Sequence, residues 1–142
     1  MTRRLAALAA ALLISTGLGL GPARAQSEAD GAAMQATISA QLEAFQHDDW
    51  AKAFTYASPT IQGMFVTPEN FGAMVRNGYP MVWRPGAVKF LGAQPSPEGP
   101  RQVLLITDQS GRQWVADYLM RKVDGVWRIA GVTLRPQVEA GA

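Results

Sequence analysis

Apolar and polar residues alternate with helical spacing over the first part of the chain that follows residue 33. The apolar side chains lie three or four residues apart, and glutamine and glutamate occupy the positions between them. Such a stripe is typical of a helix that buries one face. It predicts a first helix over about 33–47, preceded by a flexible lead-in over 26–32. The stripe consists of Met34, Ile38, Leu42 and Phe45.

Capping residues divide the next part of the chain into short helices. Asp48 is predicted to cap a second helix, because an aspartate side chain accepts hydrogen bonds from free N–H groups at a helix start. Ser58 and Thr67 each precede a proline. A capping hydroxyl followed by a first-turn proline indicates that a helix begins there. The two further helices are predicted over about 59–64 and 68–76.

Beyond Gly86 the apolar residues follow the alternation typical of strands. Asp124-Gly125 between two valines predicts a tight hairpin between the last two strands. Helices followed by strands indicate an α+β fold, with N-terminal helices packed on a strongly curved antiparallel sheet of about four strands. The strands are predicted over about 88–94, 101–107, 112–122 and 126–134.

The two turns determine which side chains share a face of this sheet. A two-residue turn at Asp124-Gly125 pairs Met120 with Ile129, and the pairing is expected to continue unbroken along both strands. The preceding turn is expected to pair Thr107 with Arg112. Directly paired residues share a face, and a slip of one residue in either turn would reverse the assignment for that strand. The face toward the helices is predicted to carry Val103, Leu105, Trp114, Ala116, Tyr118, Met120, Trp127 and Ile129.

The opposite face of the predicted sheet is too apolar for full exposure to water, although Asp117 and Arg121 lie on it. Exposed apolar patches of this kind usually mark an interface. We therefore expect a homodimer through this outer face. The alternative is a monomer whose flexible tail, residues 135–142, covers part of the face. The candidate dimer residues are Leu104, Ile106, Val115, Leu119, Arg128, Val132 and Leu134.

Residues 1–25 have the three parts of a secretory signal peptide in the correct order. Arg3 and Arg4 are followed by an apolar stretch over 5–20 and by a small-residue cleavage pattern that ends at Ala25. The stretch is short and glycine-rich for a membrane span. Cleavage after Ala25 would produce a periplasmic or secreted protein without a membrane anchor. The chain has no cysteine, so it cannot carry a lipoprotein anchor.

The charge balance depends on this signal. The chain has 13 Lys and Arg against 11 Asp and Glu, a formal net charge of +2. Three of the arginines lie within residues 1–25, so cleavage leaves 10 basic against 11 acidic residues. The basic surface expected of a nucleic-acid-binding protein is therefore absent. The lack of cysteine also excludes disulfides, thiolate metal sites and thiol nucleophiles.

Three segments of the mature chain carry a family resemblance. They read FTYASPTIQGMF, TPENFGAMVRNGYP and DGVWRIAGVTL, in that order. The ordered set resembles the bacterial family called domain of unknown function 4864. The order of helices and strands resembles the wider nuclear-transport-factor-2-like superfamily, with its ketosteroid-isomerase-like and SnoaL-like domains. The resemblance covers 33–134 and implies a cone-shaped α+β fold, often dimeric, with a pocket between helices and sheet. It implies no activity, because the closer family has none assigned.

Aromatic residues are concentrated in this small domain, and two small residues, Ala116 and Gly131, lie in mid-sheet. Together they could leave a concave apolar site for a ligand. Ordinary core packing accounts for the same residues. We predict a non-catalytic domain that binds a small apolar or aromatic molecule or acts as an interaction module. The candidate pocket residues are Tyr56, Tyr79, Trp83, Trp114, Ala116, Tyr118, Met120, Trp127 and Ile129.

An enzyme of the ketosteroid-isomerase-like type, a lyase or isomerase for a hydrophobic substrate, is the alternative. Ketosteroid isomerases use a carboxylate base and an oxyanion hole of tyrosine and protonated aspartate. Tyr118 is predicted to face inward, but Asp117 faces outward and could serve as base only if the register slipped. His47 is interpreted as a helix-terminal residue and Ser58 as a cap. No catalytic residue, metal site or cofactor is predicted.

Overall fold

Helices precede strands in the computed structural model, which describes residues 21–138. This order confirms the predicted α+β class. The first 20 residues of the signal peptide predicted over 1–25, and the end of the predicted tail, 139–142, lie outside the described residues. The elements are α1 (Pro22–Gln46), α2 (Trp50–Thr55), α3 (Pro59–Phe65), α4 (Pro68–Gly78), α5 (Pro80–Trp83), β1 (Ala87–Gln94), β2 (Arg101–Thr107), β3 (Gln113–Val123) and β4 (Val126–Pro136).

Helix α1 begins earlier than predicted. Its first turn contains Pro22, and the segment expected to be a flexible lead-in is helical and largely exposed. Alanine, glutamate and glutamine favour the helix there, and side-chain contacts attach it to the sheet. Asp30 lies 3.6 Å from Lys122, and the Thr37 hydroxyl donates to the carbonyl oxygen of Trp127 at 3.1 Å.

The residues that cap the short helices are those predicted from the sequence, with one exception. Ser58 and Thr67 cap α3 and α4 as predicted, since their hydroxyls accept hydrogen bonds from Ile61 N and Asn70 N. The prediction that Asp48 caps α2 is wrong. Asp49 caps this helix and accepts from Lys52 N, whereas Asp48 has a positive φ of 52° and links the two helices. Aspartate tolerates that conformation better than most residues.

The sheet is antiparallel, with strand order β1-β2-β3-β4, and the helices pack on one of its faces. The last hairpin confirms the turn predicted at Asp124-Gly125, where Val123 pairs with Val126 and both turn residues have positive φ. The free edge of β4 is contacted by the chain between α2 and α3, through a parallel bridge from Ala57 to Ile129.

The predicted register between β2 and β3 is wrong by one residue. Thr107 pairs with Gln113 instead of Arg112. The reason is Asp108, whose carboxylate accepts hydrogen bonds from Ser110 N and Arg112 N and holds Arg112 inside the turn. The slip reverses the faces of β2, because side chains alternate along a strand. Leu104 and Ile106 therefore face the helices, and Val103 and Leu105, predicted to face inward, lie on the outer face.

A β-bulge changes the register in the second half of β4. Met120 pairs with Ile129 as predicted, but the next pair joins Leu119 to Gly131 and leaves Ala130 as the extra residue. Tyr118 consequently pairs with Val132 rather than Gly131. The inner face thereby gains two residues that were predicted to lie outside, Val132 and Leu134.

The composition of the outer face changes accordingly. Leu104 and Ile106 are fully buried beneath the helices and cannot belong to a dimer surface. Of the candidate dimer residues, the pairing leaves Val115, Leu119 and Arg128 outside.

The helices and the inner face enclose one hydrophobic core. Its most deeply buried large side chains include Phe45, Ile38 and Tyr118. Helix α4 approaches α2 closely at Gly72, where an added Cβ atom would lie 2.5 Å from the ring of Trp50. There is no space for a side chain at this position, so glycine is required. Because it has none, α4 can pack directly against the core.

Candidate ligand-binding cleft

An apolar cleft opens between helices α1, α3 and α4 and strand β4. It has a volume of about 350 Å³, at the lower end of the range for small-molecule sites. No charged side chain is among the residues that line it. The lining residues are Gln41, Phe45, Ala57, Ile61, Met64, Phe65, Phe71, Met74, Val75, Tyr79, Val82, Ile129, Gly131 and Val132.

Local structure positions each wall of the cleft. Gln41 and Phe45 lie one turn apart on the buried face of α1, and helical periodicity points both in one direction. The backbone of the α2–α3 connection is anchored to β4, where Ser58 N donates to Ile129 O at 2.8 Å. The bulge in β4 turns Val132 toward the helices. The cleft therefore depends on contacts between segments far apart in sequence.

Phe71 is the centre of the aromatic wall. Its ring centroid lies 6.0 Å from that of Phe45, 5.9 Å from Phe65 and 5.4 Å from Phe54. These tilted and edge-on arrangements are the favourable geometries for aromatic pairs. The residues that support Phe71 thus come from α1, α2 and α3, and the ring connects these helices to α4.

The polar groups of the cleft are few. Gln41 is only 3% exposed, and its Nε2 atom donates to the carbonyl oxygen of Ala53 at 3.1 Å. Tyr79 is half-buried at the end of α4. Gln62, on α3, donates to the carbonyl oxygens of Phe54 and Ala57 and fixes the connection that forms the floor. The cleft offers packing surface and a small number of hydrogen-bonding groups.

The structure brings two of the predicted pocket residues, Tyr79 and Ile129, to this cleft. Ala116, Tyr118 and Met120 are buried in the core beneath α1, and Tyr56 lies beside the bridge to β4. The prediction missed the helical residues, above all Phe45, Phe71 and Met74. Phe71 and Val75 lie four residues apart on α4, a spacing that indicates a buried stripe.

The family comparison covers most of the chain. The family model described as domain of unknown function (DUF4864) matches residues 27–142. The chain belongs to the DUF4864 family. No curated protein and no solved structure matches it.

The DUF4864 domain has no helix within residues 21–138 that is long and apolar enough to cross a membrane. The same residues contain no group of three or more histidine, aspartate or glutamate side chains arranged to hold a metal ion. His47 forms the C-cap of α1 and is exposed. Its neighbours Asp48 and Asp49 serve the helix connection and the α2 cap.

Two predicted pocket residues, Trp83 and Trp114, line a separate, shallower cleft of about 410 Å³ on the DUF4864 domain. The indole N–H of Trp83 donates to Asp48 at 2.8 Å, and that of Trp114 donates to Asp108 at 3.1 Å. Hydrogen bonds from Ser110, then from Trp114, lower the pKa of Asp108 to about 2. The carboxylates of Asp48 and Asp108 already accept hydrogen bonds from these indoles and from neighbouring residues of the same chain. We therefore interpret them as structural groups.

Trp127 lies against the middle of α1, between Asp30 and Thr37. Its indole N–H donates to Asp30 at 3.4 Å, and the ammonium group of Lys122 lies 5.6 Å from its ring centroid. The ring therefore packs beneath a helix at a distance from the cleft lining.

Tyr118 and Gln102 face each other across β2 and β3 in the core. Both are fully buried, and neither the Tyr118 hydroxyl nor the Gln102 Nε2 atom has a hydrogen-bond partner among the described residues. Burial raises the pKa of Tyr118 far above its usual value. Asp117, considered as its catalytic partner, lies on the outer face and pairs with Arg135 at 2.6 Å. The register therefore directs the carboxylate away from Tyr118.

Tyr118→Phe is expected to raise the free energy of unfolding by about 1 kcal/mol, because it removes a buried hydroxyl that makes no hydrogen bond. The measurement is urea denaturation followed by circular dichroism. Tyr118→Leu, which loses ring packing, is the control and should be less stable than the wild type. A loss of stability in Tyr118→Phe would contradict the interpretation and indicate that the hydroxyl is bonded in solution.

Proposed function

We propose that the DUF4864 domain is an exported, non-catalytic protein that binds a small apolar or aromatic molecule in the cleft between α1, α3, α4 and β4. The observation that carries the proposal is the chemistry of the cleft. It is concave and lined mainly by aromatic and aliphatic side chains, and no charged side chain is among them. Sites with these properties and a few polar groups are the usual sites for small molecules.

The rim of the cleft supports the proposal. Met64 lines the opening and is 65% exposed, and methionine adapts its shape to apolar ligands. The nearby Val66 is 73% exposed and has a φ of 71°, a conformation that strains a β-branched residue. Strained backbone conformations cluster at active sites and ligand sites. A bound apolar molecule would cover part of this surface.

The proposal is tested with N-phenyl-1-naphthylamine, a neutral aromatic probe whose fluorescence rises in apolar surroundings. The purified mature protein is expected to bind it saturably. Ile61→Trp places a larger side chain in the cleft lining and should weaken binding by roughly tenfold or more, since an occupied cleft loses its packing surface. Thr60→Trp is the matched control, because Thr60 is exposed on the same helix and does not line the cleft.

Two outcomes would reject a ligand site at this position. The first is absence of saturable binding to a wild-type protein that is folded by circular dichroism. The second is equal affinity of Ile61→Trp and Thr60→Trp for the probe. Equal affinity would place the probe elsewhere on the protein.

Export and assembly belong to the same proposal. The order of residues in the first 25 positions supports a signal peptide, and helices covering one face of an antiparallel sheet support membership of the nuclear-transport-factor-2-like superfamily. The outer face retains Leu119, which is half-buried and supports a homodimer, whereas Val115 is only 6% exposed and offers little surface to a partner. Native mass spectrometry of protein purified from the periplasm or medium measures the mass of the assembly. That mass shows whether residues 1–25 have been removed, whether the protein is a dimer and whether a ligand is bound. Absence of the protein from both the periplasm and the medium would reject export, a mass that retains residues 1–25 would reject cleavage after Ala25, and a monomer would reject the dimer.

A further inference from the structure

We infer that the ligand of the cleft is a neutral molecule that donates a hydrogen bond, and that Oε1 of Gln41 accepts it. This inference rests on the proposed function and specifies the class of ligand. It combines two observations, the absence of charge around the cleft and the orientation of one buried amide.

The lining of the cleft selects against charged ligands. Its two polar side chains are those of Gln41 and Tyr79, and no aspartate, glutamate, lysine, arginine or histidine lines it. A carboxylate or ammonium group placed there would lose its hydration without an opposite charge to compensate, which costs far more free energy than transfer of a neutral group. A neutral ligand has no such penalty.

The hydrogen bond of Gln41 determines which end of its amide is available. A carbonyl oxygen can only accept, so the group within 3.1 Å of Ala53 O has to be the NH₂ end of the amide. The Oε1 atom is thereby left as an acceptor, and no side-chain or backbone hydrogen bond of the described residues ends on it. It is not among their fully buried atoms without a partner, so it stays open to the cleft that Gln41 lines. The residue as a whole is only 3% exposed, so little of its amide contacts bulk water outside the cleft. A ligand donor would supply the missing partner.

Tyr79 is a weaker candidate for this role. Its side chain is half-buried, so water can satisfy its hydroxyl, and a hydroxyl can rotate to donate or accept. It therefore imposes no single requirement on the ligand, whereas the fixed amide of Gln41 does.

A matched series of competitors tests the inference by displacement of N-phenyl-1-naphthylamine. The competitors share one ring system: 1-naphthol donates a hydrogen bond, 1-methoxynaphthalene does not, and 1-naphthoate is an anion. We expect 1-naphthol to displace the probe at a concentration roughly threefold to tenfold below that of 1-methoxynaphthalene, the range of one net hydrogen bond. The anion should be the weakest competitor.

Gln41→Met tests the assigned residue, because methionine keeps a similar length without a strong acceptor. The preference for 1-naphthol over 1-methoxynaphthalene should disappear in this variant. The wild-type series decides the ligand class even if Gln41→Met fails to fold. Equal displacement by naphthol and its methyl ether overturns the requirement for a donor, and strong displacement by naphthoate overturns the neutral class. Failure of the probe itself to bind overturns the proposed function instead.

Discussion

Leu104→Lys is expected to unfold the protein, whereas Leu105→Lys, one residue further along β2, should leave it folded. Leu104 is fully buried and faces the helices, so a lysine there would place an unpaired ammonium group in the core. The free energy of unfolding is expected to fall by more than about 4 kcal/mol, because burial of an unpaired charge is among the few changes with so large an effect. Leu105 is half-buried on the outer face, where a lysine can extend its amine into water. Its substitution should cost about 1 kcal/mol.

Guanidinium denaturation followed by tryptophan fluorescence measures both variants. The pair is also a direct test of the register between β2 and β3. The alternation of the sequence predicts the opposite result, with Leu105 inside and Leu104 outside. If Leu105→Lys were the more destabilised protein, the pairing of Thr107 with Gln113 would be wrong.

Phe71→Ala is expected to lower the free energy of unfolding by about 3–5 kcal/mol, because it removes a buried ring and leaves a cavity. The ring is 5% exposed and contacts three other phenylalanines, from α1, α2 and α3. Its loss would separate the helices that form the cleft. The same substitution should therefore weaken probe binding even where the protein remains folded.

Phe65→Ala serves as the comparison for this effect. Phe65 is half-buried, and Phe71 is its one aromatic neighbour at close range among the described residues. We expect a loss of about 1–3 kcal/mol, since less apolar area leaves the core. Thermal denaturation by circular dichroism provides the ranking. A Phe71→Ala protein no less stable than Phe65→Ala would show that Phe71 is not the centre of the cluster.

The hairpin and the helix caps show what local sequence can predict. The Asp124-Gly125 turn requires two residues that tolerate positive φ, and this requirement is met by the two residues themselves. Ser58 and Thr67 cap their helices through hydrogen bonds that span three residues. Such features depend on neighbours in sequence, and their physical causes can be identified without a tertiary structure.

The register of β2 and the second half of β4 could not be obtained in the same way. Whether Arg112 belongs to the turn or to β3 depends on hydrogen bonds to the Asp108 carboxylate. The bulge at Ala130 lies beside the attachment of the α2–α3 connection to Ile129. Strand alternation carries no information on an inserted residue, and each error reverses every face beyond it.

The position of the candidate cleft likewise could not be predicted from local sequence. Six of the nine residues predicted to line the pocket lie in the sheet, yet Ala116, Tyr118 and Met120 among them are buried in the core. The cleft is lined instead by Phe45, Phe71 and Val132, whose approach depends on helix packing and on the bulge.

The sequence by itself determined the α+β class, the order of helices and strands, and the last hairpin, because these depend on local periodicity and turn chemistry. Only the tertiary structure decided which face of β2 is buried, where the cleft lies and which groups line it. Those properties arise when Gly72 admits the ring of Trp50, and when Asp108 and Ala130 shift strand pairing by one residue. Each is a contact or an offset between segments whose distance in space the linear pattern does not encode.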